Sequence, residues 1–263
     1  MTTKTIVFVH GMYMTPLCWQ GWLARFEDKG YRCLAPAWPG RDKPVEQLRR
    51  AHPDAQLARL TLKDVVEHFD GVTRRLDAKP IIIGHSMGAL VTQLLLSRGL
   101  AHAAVAIDSA PPMGVFVASW PFLNSNWPHI NPFVSKSLPI QMTFERFQYT
   151  FVNGLPLGEQ RAAFEKYVVP ESRRVPAQSL TSFARVDFGK PGAPLLMIAG
   201  LADHIIPASL VRANYRRYGR PHSVTELQEF PGRAHFLIGQ EGWQEVADYV
   251  LGWLERLRAD QES

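Results

Sequence analysis

Three residues far apart in a chain of 263, Ser86, Asp203 and His235, are of the types that together turn a hydroxyl into a nucleophile. Ser86 stands in Ile81-Ile82-Ile83-Gly84-His85-Ser86-Met87-Gly88, with a glycine two residues away on each side. An apolar strand that turns at once into a helix holds its apex residue in a strained conformation at the carboxyl edge of a sheet. Glycines on either side remove the side chains that would collide there. The helix that follows would put its N-terminus, where negative charge is stabilised, beneath that serine. The bland alternative is a surface turn with an incidental serine, and the strand-to-helix context argues against it.

A serine hydroxyl needs a base to take its proton and an acid to orient that base. His235 lies in Phe230-Pro231-Gly232-Arg233-Ala234-His235-Phe236, after the last strand-like run and before the final helical stretch, and it is the only one of nine histidines so placed. Asp203 follows another apolar run in Ala199-Gly200-Leu201-Ala202-Asp203, which gives the chain order Ser, Asp, His. Asp108, in Ala106-Ile107-Asp108-Ser109, competes for the same histidine from one strand over; the turn holding Asp203 is the usual one for this order. The alternative role for Asp108 is to anchor the base of an insertion. Two backbone N–H groups suffice for an oxyanion. Met87, next to the serine, offers one, and Met12, in the loop His10-Gly11-Met12, offers the other. His10 has no partner at ligand spacing and reads as a structural residue of that loop.

These groups must be carried to one edge by regular elements. Short apolar runs at 6–9, 32–35, 81–83, 103–107, 195–199 and 225–230 alternate with stretches of helical period at 19–29, 60–76, 87–97, 209–218 and 243–258. That alternation predicts a parallel sheet covered by helices. Residues 111–192 break the rhythm with Pro111-Pro112, Trp120-Pro121, Trp127-Pro128 and Asn131-Pro132. Helical patches follow at 143–152 and 157–168, so the segment reads as a helical insertion after the fourth strand. The expected domains are a core of 1–110 and 193–263 with the insertion between, and a frayed tail from Ala259 to Ser263.

Composition narrows the function. A hydrophobic fraction of 46% with 20% charged residues is that of a soluble globular protein. The net charge of +5 comes from scattered pairs such as Arg49-Arg50 and Arg216-Arg217 and forms no basic block, so nucleic-acid binding is not expected. Cys18 and Cys33 lack CxxC spacing and point to reduced thiols in a cytoplasmic protein, with a single disulfide the alternative. No run has membrane-spanning or signal-peptide length, so no membrane insertion is expected.

His10-Gly11, the Gly84 to Gly88 elbow, Gly200 to Asp203 and His235 resemble the α/β-hydrolase fold superfamily, in its small lidded branch of carboxylesterases, over nearly the whole chain. The resemblance implies about six mostly parallel strands flanked by helices, without the two N-terminal strands of the fuller fold, and a cap at 111–192 roofing the pocket. It implies a serine hydrolase that cleaves carboxylic esters without cofactor or metal, and a small-molecule ester as its partner. The stretch Ala35-Pro36-Ala37-Trp38-Pro39-Gly40-Arg41-Asp42 lacks the Asp and second glycine usual in relatives, so its loop is expected to differ. Nine cap aromatics, Phe116, Trp120, Phe122, Trp127, Phe133, Phe144, Phe147, Tyr149 and Phe151, either line an apolar or aryl pocket or pack the cap. Ser86 argues against relatives with an aspartate nucleophile. Carbon–carbon bond hydrolases, hydroxynitrile lyases and a small-molecule receptor with residual hydrolysis keep the serine and stay open. Oligomeric state is not encoded in these motifs.

Overall fold

Mainly apolar runs form the strands β1 (Thr5–Val9), β3 (Ile81–His85), β4 (Ala103–Ile107) and β5 (Leu195–Gly200), and the more polar β2 (Arg32–Leu34) and β6 (Thr225–Phe230) complete the set in a computed structural model of the chain. The structure describes residues 3–117, 119–131, 133, 135–189, 193–218 and 224–262. Every strand pairing is parallel, in the order β2-β1-β3-β4-β5-β6. The strands β3, β4 and β5 are buried along their whole length, which is why they read as continuous apolar runs. The edge strands β2 and β6 are only partly covered.

Parallel neighbours require crossovers, and helices supply most of them. The chain runs through α1 (Gln20–Glu27), α2 (Val45–Arg50), α3 (Ala55–Arg59), α4 (Leu62–Arg74), α5 (Met87–Ser97), and, after the cap, α10 (Ala208–Arg217) and α11 (Trp243–Glu262). Thr61 and Asp64 form a reciprocal capping box at the start of α4, and Leu62, Val65, Val66 and Phe69 turn its apolar face inward. In contrast, α5 is buried from Met87 to Leu96, the pattern of a central helix enclosed on all sides. Beneath the other face, Trp19, Trp22 and Phe26 cluster on Phe8 of β1.

Between β4 and β5 the chain forms the helical cap: α6 (Trp120–Ile130), α7 (Phe144–Thr150), α8 (Leu157–Tyr167) and α9 (Arg174–Ser179). The sequence gives no expectation of α6, because its proline pairs read as breakers. Pro121 instead occupies the first turn, where a missing N–H costs nothing, and the Ser119 hydroxyl accepts from Phe122 N at 3.2 Å to cap the helix. Two further corrections concern the ends. The expected helix from Trp19 begins as a 3₁₀ turn at Pro16–Trp19 before α1, and α11 continues through Glu262 instead of fraying at Ala259. Pro132, the insertion boundary at Gly192 and the terminal Ser263 lie outside the described residues.

The order of strands positions the site. From β1 the chain moves outward to β2, then returns to place β3 on the opposite side, so loops leaving β1 and β3 diverge at the carboxyl edge. Such a switch point is where open α/β sheets hold ligands. Val9 pairs with Gly84, which brings His10 to Met12 and His85 to Met87 out side by side. The start of α5 is pressed against the end of β1: a Cβ on Gly88 would lie 2.2 Å from Val9 O and 2.4 Å from His10 O.

That contact predicts that Gly88→Ala lowers the unfolding free energy by at least about 2–3 kcal/mol in urea titrations. Gly158→Ala in α8, where an added Cβ has nothing within 4 Å, is expected to be neutral or to stabilise by ~0.5–1 kcal/mol.

Candidate active site

Ser86 occupies the apex between β3 and α5 with φ 58° and ψ −122°, a region that costs an L-residue about 1–3 kcal/mol. The turn is bolted in place from both sides. Ser86 N donates to Ile107 O at 2.9 Å, and Ser86 O accepts from Ala110 N at 3.1 Å. Its hydroxyl reaches His235 Nε2 at 2.8 Å, and His235 Nδ1 reaches Asp203 Oδ2 at 2.6 Å. A carboxylate only accepts, so Nδ1 carries the ring proton and Nε2 is left to accept from the serine. The side chains of His235 and Asp203 are fully buried, and burial pushes the imidazole down to about 3, which keeps it neutral at rest.

The loops hold this geometry. Asp203 Oδ1 accepts from the amides of Ile205 at 2.7 Å and Ile206 at 2.9 Å. Burial raises its carboxyl above the ordinary range, while the amides of Ile206 and Ile205 pull it back. His85 Nε2 donates to His235 O at 2.7 Å, and the edge of Phe151 meets the His235 ring at 5.0 Å, so the imidazole is fixed from both sides. Asp108 does not anchor the insertion. It ends β4 with φ 41°, and its Oδ1 accepts from Gly200 N of β5 at 2.8 Å, behind the residues just described. One ligand atom each of His85, Asp108 and His235 lies within 4.8 Å of the others, but both nitrogens of His235 and Nε2 of His85 are already spent on hydrogen bonds.

Met87 opens α5, so its N–H belongs to the unpaired first turn, and Met12 leaves β1 beside it; both line the same cleft as Ser86. Gly11 permits that approach, since a Cβ there would sit 2.9 Å from Ser86 Cβ and 3.0 Å from His85 O. His10 lies behind: its Nδ1–H donates to Gly11 O at 2.8 Å, its Nε2 accepts from Trp38 N at 3.2 Å, and its ring stacks on Trp38.

The next residue, Tyr13, is in the left-handed region at φ 62°, and its backbone is held by the base of the cap. Tyr13 N donates to Glu171 Oε2 at 3.1 Å, and Tyr13 O accepts from Val169 N at 2.9 Å. Glu171 in turn pairs with Arg41 at 2.7 Å, both side chains buried, and Arg41 also donates to Pro170 O. Sequence reasoning missed this pair. The only signal was Arg41 in the loop after β2, already marked by its departure from the usual pattern.

The cleft beside Ser86 is lined mainly by apolar side chains with a few polar ones, the character of pockets for small organic ligands. Of the nine cap aromatics only Phe122 and Phe151 line it. Phe116, Trp120, Trp127 and Phe133 are exposed, and Phe147 packs in the core. Residues not singled out from the sequence fill the remaining wall, among them Met142, Ile205 and Ile206. Cys18 and Cys33 are both unpaired. Among the described residues no helix is long and apolar enough to cross a membrane.

Comparison with known proteins gives a consistent picture. A model of the alpha/beta hydrolase family matches residues 6–249. The chain is 25% identical over 255 residues to a pyrethroid hydrolase of Sphingobium wenxiniae, covering 86% of this chain and 81% of that protein. Among solved structures, a monoacylglycerol lipase of Paleococcus ferrophilus superposes with a TM-score of 0.66 at 17% identity, covering 96% of this chain and 95% of its own. Polyneuridine aldehyde esterase gives 0.69 at 16% identity, covering 95% and 99%. At such identities these structures establish the shared fold.

The buried ion pair generates a prediction. Glu171→Ala strands the Arg41 guanidinium and the Tyr13 amide, and is expected to cost about 3–5 kcal/mol in urea unfolding. Replacing both Arg41 and Glu171 by Met is expected to recover most of that loss.

Proposed function

The chain belongs to the alpha/beta hydrolase family, and from that premise we propose that it is a serine hydrolase cleaving carboxylic esters of small apolar or aromatic substrates through an acyl-enzyme. The observation that carries this reading is the uninterrupted relay from Ser86 Oγ to His235 Nε2 at 2.8 Å and from His235 Nδ1 to Asp203 Oδ2 at 2.6 Å. It opens on a largely apolar cleft.

In the proposed reaction His235 Nε2 takes the Ser86 proton as Oγ attacks the ester carbonyl. Negative charge on the carbonyl oxygen is met by the amides of Met12 and Met87 and by the N-terminal end of α5. The imidazolium, steadied by Asp203 through Nδ1–H, then gives its proton to the departing alkoxide. A water deprotonated by the same Nε2 attacks the acyl-enzyme, and collapse of that second tetrahedral species returns the proton to Ser86 Oγ. No step calls for a metal or organic cofactor. Residues 111–192 act as the cap over this chemistry, and 1–110 with 193–263 as the core. Two unpaired thiols favour a reducing, cytoplasmic setting. Ester-cleaving relatives support the bond type over carbon–carbon hydrolysis, lyase chemistry or a receptor role.

A panel of p-nitrophenyl esters from short to long acyl chains tests the reading, with fluorophosphonate labelling in parallel. Ser86→Ala and His235→Ala are expected to lower kcat by about 10³–10⁶ and Asp203→Asn by about 10⁴, with labelling lost in Ser86→Ala. Turnover that survives Ser86→Ala would remove Ser86 from the reaction.

A further inference from the structure

Asp108 is completely buried, has no arginine or lysine acting on it, and is not needed for the relay already described. It is held with unusual firmness for a bystander. Its backbone sits at φ 41°, a left-handed conformation that Asp and Asn tolerate better than most residues, and its N–H donates to Ile198 O at 2.9 Å. Its Oδ1 takes the Gly200 amide at 2.8 Å, three residues before Asp203, and its carboxyl comes within hydrogen-bonding reach of the Asp203 carboxyl. The titratable groups facing it are Asp203 on the loop after β5, His235 on the loop after β6 and His85 at the end of β3.

We propose that Asp108 is a protonated positioning residue, whose carboxylic O–H donates to the Asp203 carboxylate and holds that acid ionised behind His235. The donor inventory decides which of the two carries the proton. Two ionised carboxylates are both acceptors, so a hydrogen bond between them exists only with a proton in it. Asp203 already collects three N–H donors, from Ile205, Ile206 and His235. Asp108 has one, from Gly200 to Oδ1, and its Oδ2 accepts no hydrogen bond at all. The anion belongs where the donors are, and the proton where they are not. Burial and the neighbouring Asp203 charge both raise the Asp108 carboxyl well above the ordinary range, against the opposing pull of the Gly200 amide.

The kinetic consequence rests on the serine hydrolase reading, whereas the proton itself does not. At alkaline pH the shared proton leaves, two adjacent anions face each other, and the grip on His235 Nδ1–H is disturbed. Activity therefore falls as pH rises through this second loss. Asparagine at 108 keeps a donor that cannot titrate, and alanine keeps none.

Infrared difference spectra of the whole protein at neutral pH, in H₂O and D₂O, test the proton without any substrate. A protonated-carboxyl C=O band is expected in the wild type and is expected to vanish in Asp108→Asn. Its absence from the wild type, or its survival in Asp108→Asn, would overturn the assignment even if no ester is ever turned over. With a hydrolysed p-nitrophenyl ester, Asp108→Ala is expected to lose roughly a hundredfold in kcat. Asp108→Asn is expected to recover most of that loss and to lack the alkaline fall in kcat/KM. Equal loss in both variants, with both shown folded by thermal melting, would overturn the positioning role.

Discussion

The contact between the end of β1 and the first turn of α5 is the constraint on which the rest of the site depends. Gly88 brings the helix against the carbonyls of Val9 and His10, and Gly11 lets the β1 loop lie against Ser86 itself. Any side chain at either position would push apart the two loops that leave the sheet at its switch point. The serine would still sit on its turn, but Met12 and Met87 would no longer line one cleft beside it. Strain at Ser86 is tolerated because β4 and the loop after it hold the turn through Ile107 and Ala110.

The cap is more than a roof laid over a finished centre. Its base holds Tyr13 through Val169 and Glu171, next to the amide proposed to meet the oxyanion. On the other side, cap residues accept from or donate to the loop that carries Asp203. Asn153 reaches Ala202 O, Ser125 reaches His204 O, Asn126 reaches Ile205 O, and His204 Nδ1 donates to Tyr149 O. Phe151 packs on His235 and accepts from the amide of Phe236. Pocket shape and the alignment of the Asp203 and His235 side chains are therefore set by the same segment.

What the sequence reveals here follows from how local each signal is. The elbow, the apolar strands and the order Ser, Asp, His are encoded within a few residues each, and the fold and the three groups of the relay could be read from them. The α6 helix was hidden because Trp-Pro pairs look like breakers unless Ser119 is seen as a cap and Pro121 as a first-turn residue. The Arg41–Glu171 pair and the neighbouring carboxyls of Asp108 and Asp203 join residues distant in the chain, and no local pattern announces them. Aromatic content marked the cap, but it could not separate Phe122 and Phe151, which line the cleft, from the four exposed rings.

The strictly parallel sheet also governs how the protein comes into being. Ile6 must find Ile81, and Ala104 must find Leu195, so its central pairings close long loops before they are rewarded. The histidine is delivered 149 residues after the serine it touches. A nascent chain emerging from the ribosome thus exposes the Ser86 hydroxyl long before the imidazole it is hydrogen-bonded to has been made.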